Sequence, residues 1–112
     1  MNIQIFGSKK SFDTKKAERY FKERRIKYQL IDMKEKGMSK GEFTSIKNVI
    51  GINEIIDTKA KNYSKSNLDK IRSADVKAEV VFKDQSLIKL PIVRNGKMAT
   101  VGYKPEVWKE WE

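Results

Sequence analysis

The chain contains no cysteine and no histidine. Thiolate nucleophiles, disulfides, cysteine metal sites and imidazole bases are therefore absent, and no metal-ligating motif is visible. Chemistry in this chain would have to come from carboxylates, lysines, tyrosines, hydroxyls or a bound molecule. The residues best spaced for a reacting site lie near the start, in Gly7-Ser8-Lys9-Lys10-Ser11-Phe12-Asp13-Thr14, followed by Lys15 and Lys16. A glycine-led break that runs into a helix aims unpaired backbone N–H groups at whatever occupies the helix start, and the helix dipole favours an anion there. The four lysines add positive charge at the same place. Two readings of Ser11 stay open on these residues alone. It is either a simple N-cap, a role Asp13 fits equally, or part of an anion-handling site. As a nucleophile it would need a positioned base. Only Lys9 or Lys10 could serve, and both read as solvated and protonated.

The elements that must position this loop are legible from pattern. A chain of 112 residues makes one domain with a modest core. Residues 2–6, apolar at Ile3, Ile5 and Phe6, read as a strand. A helix follows over about 13–25, with Ala17, Tyr20, Phe21 and Arg24 on one face, and then a second strand over 28–32. These form a β-α-β unit with parallel strands. Ser39 and Glu42 have the spacing of a capping box ahead of Phe43, Ile46 and Ile50, with Gly51 as the stop. Short helices are expected at about 66–72 and 75–83. The stretch 34–86 is too short and too charged to bury its own core and reads as a helical insertion. Residues 91–94 and 97–101 flank Asn95-Gly96, a hairpin signal in which both central residues tolerate positive φ. Pro105 then suits a first helical turn, with Val107, Trp108 and Trp111 as the apolar stripe. The fold class expected is α/β, with a four-stranded mixed sheet in the order β-α-β, insertion, β-β-α.

The formal net charge of +10 invites a nucleic-acid reading. However, acidic residues interleave with the basic ones, as in Lys22-Glu23-Arg24 and Lys34-Glu35-Lys36. Solvated helix faces are the better account, and a nucleic-acid partner is disfavoured. No stretch approaches the roughly 20 apolar residues of a bilayer span, and the opening residues lack a secretory pattern. The expectation is a cytoplasmic monomer without a membrane partner.

Against this background the sequence resembles the glutaredoxin-coupled arsenate reductase family of thioredoxin-like proteins, which also includes the regulator Spx. The family's opening signature has a strand, a glycine, three residues, a reactive cysteine, and a Thr or Ser three further on. It matches Gly7, Ser11 and Thr14, and Lys15-Lys16-Ala17 resembles the start of the family's first helix. The closing signature matches Leu87-Ile88-Lys89-Leu90-Pro91-Ile92-Val93 and, after the hairpin, Val101-Gly102.

The resemblance implies that Ser11 stands where the nucleophilic cysteine would be. A thiol there would have its pKa lowered from about 8.5 by the helix start and the lysines. Lys9, Lys10, Thr14 and Lys59 become the anion-binding set. It also implies a cis peptide bond before Pro91, close to Ser11, with Leu90 and Pro91 forming a groove for an extended peptide. Serine cannot exchange disulfides, so the redox step is missing from this chain. Either the gene carries serine here, or a cysteine has been exchanged for it. Glutathione as co-substrate and glutaredoxin as partner are what the family implies.

Three departures bear on the substrate. The family's Thr-Arg pair is Thr58-Lys59 here, the arginine before the proline is Leu90, and Tyr103-Lys104 follows the final glycine. Lysine cannot clamp an oxyanion bidentately and leucine cannot bind one, so arsenate is disfavoured. The alternative from a different class is a non-catalytic, Spx-like module that binds RNA polymerase or another protein. Against it stand the missing Cys-x-x-Cys pair, replaced by Ser11 and Thr14, and a chain that stops at Glu112.

Overall fold

The computed structural model describes residues 1–112. The elements in chain order are β1 (Ile3–Gly7), α1 (Phe12–Glu23), β2 (Tyr28–Asp32), α2 (Lys40–Ile50), α3 (Ile52–Ile55), α4 (Tyr63–Ser66), α5 (Ala74–Lys83), β3 (Ile92–Asn95), β4 (Met98–Val101) and α6 (Pro105–Glu110), with 3-10 turns at Leu68–Lys70 and Gln85–Leu87. The four strands form one mixed sheet in the order β2-β1-β3-β4. β1 runs parallel to β2, with Gly7 opposite Asp32, and antiparallel to β3, with Phe6 opposite Ile92. The α/β class and four-stranded mixed sheet read from the sequence are the architecture observed.

Side chains alternate across β1, so the sheet separates two apolar layers. Phe6, Ile31 and Ile92 face the helices between β2 and β3, where they pack with Phe43, Ile46, Ile55, Val81 and Leu87. Ile3, Ile5 and Val93 face α1 and α6, where they meet Ala17, Tyr20, Phe21 and Trp108. The indole N–H of fully buried Trp108 donates to Thr100 Oγ1 at 2.8 Å. Arg24 lies outside this layer, but its guanidinium covers the Tyr20 ring at 3.7 Å and pairs with Glu112 at 3.6 Å. Of the expected stripe on α6, Trp108 is buried and Val107 is exposed. No helix is long and apolar enough to cross a membrane.

Local chemistry explains both the matches and the differences. The Ser39–Glu42 capping box closes in both directions, at 3.1 and 2.9 Å. α1 ends two residues before the expected point because Arg25 takes a positive φ of 58°. Gly51, with φ 95°, stops α2 as expected, but the chain restarts at once as α3, which buries Ile52 and Ile55. The helix expected at 66–72 is two short pieces, α4 and a 3-10 turn, split where Asn67 enters the left-handed region. The hairpin turn lies one residue later than Asn95-Gly96. Asn95 pairs with Met98, so Gly96 and Lys97 are the central residues, and only Gly96 has positive φ. That pattern is the one in which glycine leads a two-residue loop.

Candidate active-site loop

The loop after β1 is held by its own hydroxyls. Ser8 N–H donates to Thr14 Oγ1 at 3.3 Å, Lys10 N–H to Ser8 Oγ at 3.2 Å, and Ser11 N–H to the Ser8 carbonyl at 3.1 Å. Ser11 is the N-cap of α1: its Oγ accepts the Thr14 N–H at 3.1 Å, and its backbone is extended. The capping reading of Ser11 is thus realised in the geometry, and Asp13 lies inside the helix rather than capping it. Thr14 is buried against Gly7 and serves the loop from beneath.

The N–H groups of Lys9, Phe12 and Asp13 have no acceptor within the chain. They supply the open donors that a helix start offers to an anion. Lys9, Lys10, Lys15 and Lys16 are exposed, and none forms an ion pair. The Lys15 ammonium lies 5.8 Å from the centre of the Phe12 ring, which is itself 80% exposed.

The Leu90–Pro91 bond is cis, and Pro91 is buried. Continuing the β1–β3 register by one step sets Pro91 opposite Gly7, where the loop begins. The Pro91 carbonyl accepts the Gly102 N–H at 2.8 Å, tying it to the end of the hairpin. Leu90 keeps both its N–H and its carbonyl without a partner in the chain. The residues before it are anchored: Asp57 N–H donates to the Leu87 carbonyl at 2.8 Å and Lys89 N–H to the Ile55 carbonyl at 2.7 Å.

Two clefts meet at Ser8. A 180 Å3 cleft is lined by Ser8, Lys9, Thr14, Lys15, Glu18, Leu30 and Asp32. A 290 Å3 cleft on the other side is lined by Ser8, Met33, Lys34, Gln85, Ser86, Ile88 and Leu90. Lys9, Thr14 and Leu90 therefore share one neighbourhood with the Ser11 loop. Lys59 lines neither cleft. It stands exposed on the turn after Ile56, its N–H bonded to Asp57 Oδ1 at 2.9 Å.

Sequence reasoning missed Met33, Lys34, Gln85 and Ile88 as lining residues. Gln85 has no local signal, because its side chain grips a backbone 47 residues away: Met38 N–H donates to its Oε1 at 2.6 Å and its Nε2 donates to the Met38 carbonyl at 3.1 Å. Near the smaller cleft, burial first and then the hydrogen bond to Glu18 at 2.9 Å push the Tyr28 hydroxyl up to about 12. Beside Ser86, hydrogen bonds from Ser86 and Asn62 outweigh burial and hold the Asp84 carboxyl below its usual range.

Residues 6–111 match the model of the ArsC family. No curated protein matches the chain. Among solved structures the chain is similar to an arsenate reductase from Vibrio cholerae, with 24% identity, a TM-score of 0.84, and coverage of 98% of this chain and 97% of that one. It is similar to a Staphylococcus aureus protein at 28% identity and a TM-score of 0.80, with 96% of each chain covered. An arsenate reductase related protein from Brucella melitensis shares 19% identity, with a TM-score of 0.71 and coverage of 99% and 94%.

Proposed function

The chain belongs to the ArsC family, and we propose that within this arsenate-reductase-like scaffold Ser11 occupies the place of a glutaredoxin-like nucleophilic cysteine. With serine at position 11 the chain then binds at this site without a redox step. One observation carries the reading. Ser11 Oγ receives an amide N–H at the start of a twelve-residue helix, and the cis Leu90–Pro91 bond lies on the neighbouring strand, in register with the loop's first residue.

Each part has a role in such a site. The free N–H groups of Lys9, Phe12 and Asp13, with the charges of Lys9 and Lys10, stabilise an anion at position 11. Thr14 fixes the loop through its hydroxyl. Leu90, held open before the cis bond, offers its backbone to an extended chain, and Pro91 leaves that edge uncovered. Lys59 adds positive charge from the turn after Ile56, outside both clefts. With cysteine at position 11, the thiolate would attack one sulfur of a disulfide, keep that half as a mixed disulfide and release the other as a thiolate. Glutathione would then displace the bound half. Glutaredoxin is the partner of the same chemistry, in the cytoplasm and with the chain as a monomer. Arsenate is a poor substrate because Leu90 and Lys59 offer no bidentate clamp.

A second reading, a non-catalytic Spx-like module for RNA polymerase or another protein, is favoured by one observation. The exposed Phe12 ring sits beside a thiol-free position 11. The two separate in one assay. Ser11→Cys should gain glutathione-dependent reduction of a small disulfide, while the parent chain and Ser11→Ala show none. No gain in Ser11→Cys would give first place to the binding module.

A further inference from the structure

Gln85 marks the wall of the 290 Å3 cleft, and its amide is fully committed. Beyond its two bonds to Met38, its Nε2 also donates to the Phe82 carbonyl at 3.2 Å. Of the other polar side chains there, Ser86 is engaged and Ser8 keeps only its hydroxyl hydrogen free. Ser86 Oγ donates to Asp84 Oδ1 at 2.6 Å, and Ser8 Oγ accepts the Lys10 N–H. What remains is an apolar floor of Met33, Ile88 and Leu90, with the Lys34 ammonium exposed at the rim. Lys34 forms no ion pair. The cleft is at the small end of ligand pockets, about 300–1,000 Å3, so it suits a side chain better than a whole cofactor.

The backbone beside this cleft is also unspent. Leu90 can exchange both an N–H and a carbonyl with one residue of an antiparallel strand, the hydrogen-bonded pair of a β-ladder. Neighbouring N–H groups are not free to shift that register, since Lys89 already donates to Ile55.

From these observations we propose that the Met33–Ile88–Leu90 cleft is a specificity subsite for an apolar side chain of an extended, acidic peptide segment paired with Leu90. The acidic preference follows from charge: the Lys34 ammonium stands exposed at the rim without an ion pair, and no carboxylate lines the cleft. Leucine at position 90 thus selects an apolar side chain where an arginine would select an oxyanion. The proposal rests on the reading of Leu90–Pro91 as a substrate groove, but it needs no thiol, so it can be tested in the chain as it is.

The probe is the peptide Ac-Glu-Thr-Leu-Thr-Glu-NH2, titrated against the full chain by amide NMR. Its controls carry Ser for the central Leu, or Lys for both Glu. The Leu peptide should bind at least about tenfold tighter than the Ser peptide, a difference of about 1.4 kcal/mol. It should move the Leu90 amide and slow its hydrogen exchange. Leu90→Arg should erase the preference for Leu over Ser. Lys34→Glu, an exposed change that leaves the core alone, should weaken the acidic peptide severalfold and lessen its salt dependence. Equal binding of Leu and Ser peptides, no binding at all, or shifts that avoid Leu90 and Met33 would each overturn the proposal. An inert Ser11→Cys thiol would count against the redox reading and leave this result standing.

Discussion

A Cβ added to Gly7 would lie 2.4 Å from Thr14 Cγ2 and 2.7 Å from Thr14 Oγ1. The first and last residues of the loop motif therefore specify each other: the absence of a side chain at 7 is what lets the Thr14 hydroxyl reach under the loop to the Ser8 N–H. Gly7→Ala should destabilise the fold by about 1–3 kcal/mol, as overpacking of a tight interior does. Thr14→Ala should cost stability by losing that hydrogen bond, but the double variant should cost less than the sum, since the clash and its partner vanish together. Urea unfolding of the four chains checks this.

Trp108 joins the closing helix to β4 through one buried bond. Thr100→Val keeps the shape and removes the acceptor for the indole N–H. Leaving that donor unsatisfied should cost about 1–3 kcal/mol. Thr100→Ser, which keeps an oxygen, should cost less. Denaturation midpoints with an unchanged m-value would establish that stability alone has moved.

Tyr28 gives a pH signature on the edge strand. Burial and its bond to Glu18 push its hydroxyl up to about 12, so the folded state holds this proton more tightly than the unfolded one. The stabilisation is complete below the unfolded value near 10.0 and is lost as pH rises through about 12. Glu18→Gln removes the carboxylate and should bring phenol ionisation of Tyr28 down. Ultraviolet titration of the phenolate, compared between the two chains, reads this directly.

The sequence carried the sheet and the loop because their signals are local. The apolar runs of β1 and β2, the Ser39–Glu42 box, and the Gly7–Thr14 spacing each act within a few residues. The details that escaped it depend on tertiary closure or on one dihedral angle. Gly51 stops one helix but also turns the chain so that Ile52 and Ile55 can bury as another. Asn67 breaks the expected 66–72 helix by entering the left-handed region, which Asn tolerates without requiring. The Met33–Ile88–Leu90 cleft was illegible because its walls come from three separate segments, one held in place by the Gln85 grip on Met38. The cis bond at Pro91 followed from resemblance, since X-Pro bonds are cis in only about 5–6% of cases.

In the proposed site the loop stabilises an anion at position 11. Ser11 Oγ already accepts the Thr14 N–H, and a sulfur in its place would receive the same bond, the same helix start and the same lysines. The decisive measurement is the rate of alkylation of Ser11→Cys against pH, since this variant would hold the chain's sole thiol. A titration midpoint clearly below about 8.5, the free-cysteine value, is the predicted result. A midpoint at or above that value would mean that the loop stabilises no anion and would leave Ser11 as a helix cap alone.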